Sequence, residues 1–150
     1  MEEIDMNELL KQLNEFLADL NVLYRKLQNY HWNVKGKNFF VLHSKLEEYY
    51  DGVNNEIDEI AEKILMLGGQ PLGTMKDYLA ISNIKEAENV KISGDEVLDN
   101  VLKDFTYAKM KAESIKVKAD EESAVLISAY MDEVIKDYSK ACWMLTQSRE

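Results

Sequence analysis

Residues 38–71 read NFFVLHSKLEEYYDGVNNEIDEIAEKILMLGGQP, and this stretch decides how the chain folds. Apolar side chains recur at Leu42, Leu46, Tyr49, Val53, Ile57, Ile60, Ile64 and Leu67, the spacing of one buried stripe on a helix. Asn38 is placed to cap that helix, and Gly68-Gly69 with Pro71 just beyond is a strong stop. A helix of that length spans about 40 Å. It needs partners as long as itself.

The flanking sequence supplies them. Asp5 followed by Glu8 resembles a helix start, and Leu9, Leu10, Leu13, Phe16, Leu17, Leu20, Leu23, Tyr24 and Leu27 form a stripe running to about Asn33. Gly36 breaks it. Downstream, Ser93 and Glu96 make a capping-box pattern before Val97, Leu98, Val101, Phe105, Ala108, Ala112 and Ile115. Asp120 to Ser123 marks another boundary, with acids that suit a helix N-terminus as cap and dipole partners. The last stripe is Ala124, Ile127, Met131, Val134, Ile135, Tyr138, Cys142 and Leu145. Between Gly68 and Ser93 the chain is too long for a helix hairpin, and Thr74 to Ala80 is expected as a short surface helix using Met75, Tyr78 and Leu79. The expectation is an all-α four-helix bundle, one domain over residues 1–150, with a long crossover carrying a short helix between the second and third long helices.

Composition narrows the class. Charged residues are 31% and apolar residues 46% of the chain, which suits a packed, water-facing protein. The single cysteine, Cys142, allows no intrachain disulfide and points to a reducing, cytoplasmic setting; as a side chain it reads as a small core residue. No apolar run is long enough to span a bilayer. The net charge of −10 favours cations and opposes unaided binding to a phosphate backbone.

Chemistry concentrates in the opening stretch. His43 and Glu47 are one turn apart, Asp58 and Glu62 repeat that spacing, and His31 ends the preceding helix. Two imidazoles with three carboxylates suit iron, manganese or zinc. The plainer alternatives are an acidic helix with incidental i, i+4 pairs, a capping or core role for His31, and a helix-end packing role for Trp32. Nowhere is there the Glu-x-x-His motif that an intrachain di-iron centre draws from a bundle interior. By the helical count, His43, Glu47, Asp58 and Glu62 fall within an arc of about 100°, centred about 130° from the apolar stripe. Glu47 and Asp58 are also about 16 Å apart along the axis. One ion cannot touch both pairs in one chain. If two copies of the helix cross antiparallel near Gly52 or Val53, Glu47 of one meets Asp58 of the other, and the missing side chain at Gly52 would permit a close crossing. The spacing therefore predicts a pair of metal sites shared across a two-fold axis.

The segments His31-Trp32-Asn33-Val34-Lys35-Gly36, Phe39-Phe40, Leu42-His43, Asp58-Glu59-Ile60-Ala61-Glu62-Lys63, Leu67-Gly68-Gly69-Gln70-Pro71 and Trp143-Met144-Leu145 together resemble the Dps family, the mini-ferritins that protect DNA in starved cells. The resemblance implies a ferritin-like subunit in a hollow dodecamer, with ferroxidase centres at its two-fold interfaces. His31, His43 and Glu47 would come from one subunit and Asp58 and Glu62 from its neighbour. Each site would take two irons, with zinc or manganese as substitutes, and hydrogen peroxide as the favoured oxidant. Trp32 would stand beside the centre as a sink for stray oxidising equivalents, and Glu48 and Asp51 would face the cavity as nucleation points. Departures are Glu47 where Asp is common, Lys63 where Arg is frequent, and Ala124, Val125 and Ala129 where relatives carry acids lining a three-fold pore. Two competing readings are a DNA-binding architectural protein with incidental metal oxidation, and a structural shell. The acidic start of the chain and its ending Ser148-Arg149-Glu150 disfavour direct DNA contact.

Overall fold

A computed structural model describes residues 6–149. Four long helices form, α1 (Met6–Asn33), α2 (Phe39–Met66), α4 (Gly94–Glu121) and α5 (Val125–Gln147), with the short α3 (Met75–Ile81) inside the crossover. The cap expected at Asp5 lies outside the described residues. The four predicted long helices are thus present in the predicted order. The apolar stripes become one core: Leu9, Leu13, Phe16, Leu17, Leu20, Leu23 and Leu27 of α1 are sealed from solvent, with Leu46, Ile60 and Ile64 of α2 and Phe105 and Ile115 of α4 among their partners. Each such side chain contributes about 1.5–3 kcal/mol by leaving water. Among the described residues, no helix is long and apolar enough to cross a membrane.

Local chemistry explains most of the boundaries. Gly36 and Gly68 have φ of +114° and +84°, left-handed conformations that cost glycine little, and each reverses the chain beside a helix end. Ser93 Oγ accepts from the Glu96 N–H at 3.2 Å, and Thr74 Oγ1 accepts from the Asp77 N–H at 3.2 Å, so both helix starts are capped by their own side chains. Three expectations fail locally. Asn38 occupies the N-cap of α2 without a side-chain bond to it. Within α3 only Tyr78 is buried, while Met75 and Leu79 face outward. Asp120 and Glu121 sit in the last turn of α4, not at the start of α5, whose N-cap is Ala124. That acidic end is offset by cations instead, Lys118 lying 3.2 Å from Glu122 and 3.5 Å from Glu121; Asp120 reaches α5 by accepting from Ser128 Oγ.

The crossover is fastened at both ends of its path. Asn14 Oδ1 accepts from the Leu72 N–H and its amide donates to the Gln70 carbonyl. Farther along, the fully buried Asp19 accepts from the Asn83 N–H at 2.7 Å, Ser82 Oγ at 3.1 Å and Tyr107 Oη at 2.7 Å. Burial raises the Asp19 pKa, and these donors partly offset the rise. The crossover then runs back until Ile92–Ser93 pairs in parallel with Val34–Lys35, Val34 opposite Ile92 and Lys35 opposite Ser93. This two-residue ladder ties the break after α1 to the start of α4. It fixes where the end of α1 lies.

Between α2 and α5 a carboxylate is half-buried. Tyr138 Oη donates to Glu56 Oε1 at 2.6 Å, yet burial, aided by the nearby Asp137 charge, pushes the Glu56 pKa up to about 7. An unfolded glutamate titrates near about 4.3, so the folded protein holds this proton more tightly than the unfolded chain does. The resulting stabilisation is complete below the unfolded value and is lost as pH rises through about 7. Urea melts across that window are expected to show the loss in the wild type and a flatter profile for Glu56→Gln; parallel profiles would contradict the assignment.

Candidate metal centre

The break between α1 and α2 doubles the chain back so that the end of one helix meets the start of the next. His31, in the last turn of α1, is 6% exposed, and His43, at the second turn of α2, is half-buried. Their rings stack with centroids 3.7 Å apart and planes 11° from parallel. His31 Nδ1 lies 2.5 Å from the His43 carbonyl oxygen, and His43 Nδ1 lies 2.7 Å from the His31 carbonyl oxygen. A carbonyl only accepts, so each Nδ1 carries the proton and donates it. In a neutral ring that leaves Nε2 with a free lone pair, the arrangement in which histidine ligates metals. Each histidine thus sets the tautomer of the other through its backbone.

Glu47 faces the same place. Its Oε1 is 3.7 Å from His31 Nε2, too long for a hydrogen bond and close to the separation of about 3 Å between two donors on one ion. Two further rings brace the pair. Phe39 stacks on His43 at 5.0 Å and Tyr50 meets His31 edge-on at 5.4 Å, with Tyr24 edge-on to Tyr50 at 5.9 Å. The signal was available for both, since positions 39 and 50 stand four before and seven after His43, on neighbouring turns of one face.

Asp58 and Glu62 are exposed on α2 and stay apart from the histidines. Glu62 has its pKa raised, first by the Asp58 charge and then by a hydrogen bond with that carboxyl. Two like charges one turn apart favour a shared proton or a cation between them. Among the described residues, no three His, Cys, Asp or Glu side chains gather into a group that could hold a metal ion. His31 and His43 with Glu47 thus stand at the α1–α2 junction, and Asp58 with Glu62 farther along α2.

The structure also sharpens which residues share that face. By the helical count Phe40, Asp51, Asn54 and Leu65 fall on the ligand arc; Phe40 is 85% and Leu65 56% exposed. Gly52 does not. It lines the groove between α2 and α5, beside Tyr49, Glu56 and Tyr138, about 130° round the helix from the ligands. The close-crossing role expected of it is withdrawn: on the ligand face the middle positions are Asp51 and Asn54. Trp32 is 55% exposed with the Arg25 guanidinium 5.8 Å from its ring, so it does not seal a helix end. Lys63 pairs with Glu59 at 2.6 Å and lies 4.3 Å over the Tyr130 ring. Glu48 pairs with Lys45 at 3.2 Å and Asp51 is exposed. Cys142 is half-buried against the core, as a small side chain there would be.

The chain as a whole is similar to known proteins. The ferritin-like domain family matches residues 10–149. A protein named DNA protection during starvation protein 2, from Bacillus anthracis, is 39% identical over 143 residues, covering 92% of this chain and 94% of its own. The crystal structure of a Dps protein from Bacillus brevis superposes with a TM-score of 0.94 at 35% identity, covering 100% of both chains. A Dps structure from Vibrio cholerae O1, described as belonging to a broad superfamily of ferritin-like diiron-carboxylate proteins, gives 0.90 at 35% identity over 94% of this chain and 88% of that one.

Proposed function

This chain belongs to the Dps family of ferritin-like proteins, and we propose that it takes up Fe(II) at sites shared between two copies of itself, oxidises it with hydrogen peroxide and stores the ferric product inside a dodecameric cage. The observation that carries this reading is the reciprocal lock of His31 and His43, which in the neutral rings leaves both Nε2 atoms free, that of His31 3.7 Å from Glu47 Oε1. The donor set is that of a borderline first-row ion, so iron fits, and zinc or manganese would compete for it.

Sharing follows from register. An antiparallel pair that sets Glu47 against Asp58 also sets His43 against Glu62, Asp51 against Asn54 and Phe40 against Leu65. The first two pairings assemble His31, His43, Glu47 and the neighbour's two acids into one site, and the last covers each site with apolar surface. An isologous contact repeats this twice. Iron is the substrate. Two Fe(II) ions each give up one electron and one peroxide accepts both, so that with two protons the products are two Fe(III) and two waters, and no hydroxyl radical is released. Glu47, Asp58 and Glu62 supply the negative charge that favours the ferric state, Trp32 stands next in sequence to His31 as an oxidisable neighbour, and Glu48 is the nearby acid offered for nucleation, since the register sets Asp51 at the two-fold contact.

The charge of −10 argues that any protection of DNA by this protein is chemical, through removal of iron and peroxide, in the cytoplasm. Anaerobic titration is expected to saturate at about two Fe(II) per chain, one shared site for each subunit. Peroxide should then oxidise the bound iron, and the product should co-elute with the protein assembly on a sizing column. Iron that oxidises no faster than in buffer, or elutes apart from protein, would contradict the reading.

A further inference from the structure

The groove between α2 and α5 has a volume of about 340 Å³ and is walled by Tyr49, Gly52, Glu56, Tyr130, Asp137 and Tyr138. Gly52 leaves its flank open, since a side chain there would meet nothing within 4 Å. At the base lies Tyr138, 4% exposed, whose hydroxyl donates to Glu56 Oε1 at 2.6 Å. Phe105 meets Tyr138 at 5.1 Å and Tyr49 at 5.0 Å, so three rings stand in contact beneath the groove.

From this geometry we infer that Tyr138, with Glu56 as its fixed proton acceptor, is a one-electron donor that quenches radical oxidants entering the α2–α5 groove. A phenol gives up an electron far more readily when its proton has somewhere to go in the same step. At 2.6 Å the proton is within direct reach of the base. With hydroxyl radical as the oxidant, the phenol O–H breaks, its proton moves to the Glu56 carboxylate, its electron reduces the radical to hydroxide, and a neutral tyrosyl radical remains. Charge and atoms balance without a metal.

A second phenol–carboxylate pair shows why Tyr138 is singled out. Tyr107 Oη donates to Asp19 at 2.7 Å, but that carboxylate also accepts from the Asn83 N–H and Ser82 Oγ. Its lone pairs are already engaged in holding the crossover. Tyr78 Oη donates to a backbone carbonyl, and Tyr30 Oη accepts from the Asn100 amide; neither partner is a base. Tyr138 alone of these four lines the open groove.

The test uses metal-free protein in mildly alkaline buffer, oxidised by azide radicals from pulse radiolysis, so it stands or falls separately from the iron sites. Spin-trapping of wild-type protein followed by peptide mass spectrometry is expected to place the principal adduct on Tyr138. Tyr138→Phe should lose most of the long-lived tyrosyl signal in electron paramagnetic resonance, whereas Tyr107→Phe should keep it. Glu56→Gln retains the phenol but removes its base, and should slow tyrosyl formation at least about tenfold. Adducts on other residues with none on Tyr138 would overturn the inference, as would a Glu56→Gln protein that oxidises at the wild-type rate.

Discussion

A protein carrying His31→Ala and His43→Ala together is expected to lose rapid Fe(II) oxidation by at least about two orders of magnitude while assembling as the wild type does. The rings contribute little to the core that builds the bundle, and the helices around them are closed by Gly36, by the Val34–Lys35 and Ile92–Ser93 ladder, and by the α1–α2 stripe. What disappears is the pair of Nε2 donors. The single replacements are expected to cost less than the double, because alanine keeps the backbone carbonyl that sets the other ring's tautomer and removes only one Nε2 and the stacking at 3.7 Å. The surviving ring keeps its Nδ1 bond to that carbonyl and offers one Nε2 in place of two. Stopped-flow oxidation with peroxide, run beside size analysis, reads both halves of this expectation; a double variant with wild-type kinetics would remove these histidines from the site.

The second large effect belongs to the apolar ends of the ligand face. Phe40 and Leu65 are exposed in the single chain, and the proposed register sets each against the other across the two-fold axis. Phe40→Asp with Leu65→Asp places four carboxylates where two apolar contacts should form, and like charges held close in a contact that excludes water cost several kcal/mol. The expected product on a sizing column is a smaller species, with oxidation lost although all five ligands are intact. A charge-neutral control, Phe40→Leu, should retain both assembly and activity. If the doubly acidic protein assembles and oxidises iron normally, the ligand face is not the interface.

The sequence carried the long helices well because their signals are local. Gly68-Gly69-Pro71, the Ser93–Glu96 spacing and the i, i+3, i+4 stripes depend on nothing beyond a few turns of chain. The failures are tertiary. The ladder joining Val34–Lys35 to Ile92–Ser93 is two residues long, too short for any alternation to announce it. Asp120 and Glu121 looked like helix-start acids and became the end of α4, because Lys116 and Lys118 in the preceding turn offset them. Met75 and Leu79 are apolar without being core, since Tyr78 is the one residue that α3 buries.

At the candidate centre the same division holds. The angular count put His43, Glu47, Asp58 and Glu62 on one face and kept the two pairs apart, and neither conclusion needed coordinates. The crossing expected near Gly52 or Val53 has the right place along the axis, but Gly52 lies about 130° round the helix from the ligands. The crossed backbone-to-imidazole bonds were beyond any sequence reading, because they depend on how α1 and α2 meet across the Gly36 reversal. Tyr50 and Phe39 lie in between: their spacing from His43 is visible in the sequence, but the contact of Tyr50 with His31 follows only from the fold.

Sharing of each site between two chains is the central claim, and subunit mixing tests it most directly. A His43→Ala chain and an Asp58→Ala chain, each inactive alone, are to be unfolded together in equal amounts and allowed to reassemble. In a mixed pair one site receives both defects and the other receives none. With random pairing half of the dimers are mixed, so about one quarter of wild-type activity should return. Sites built within single chains would return none.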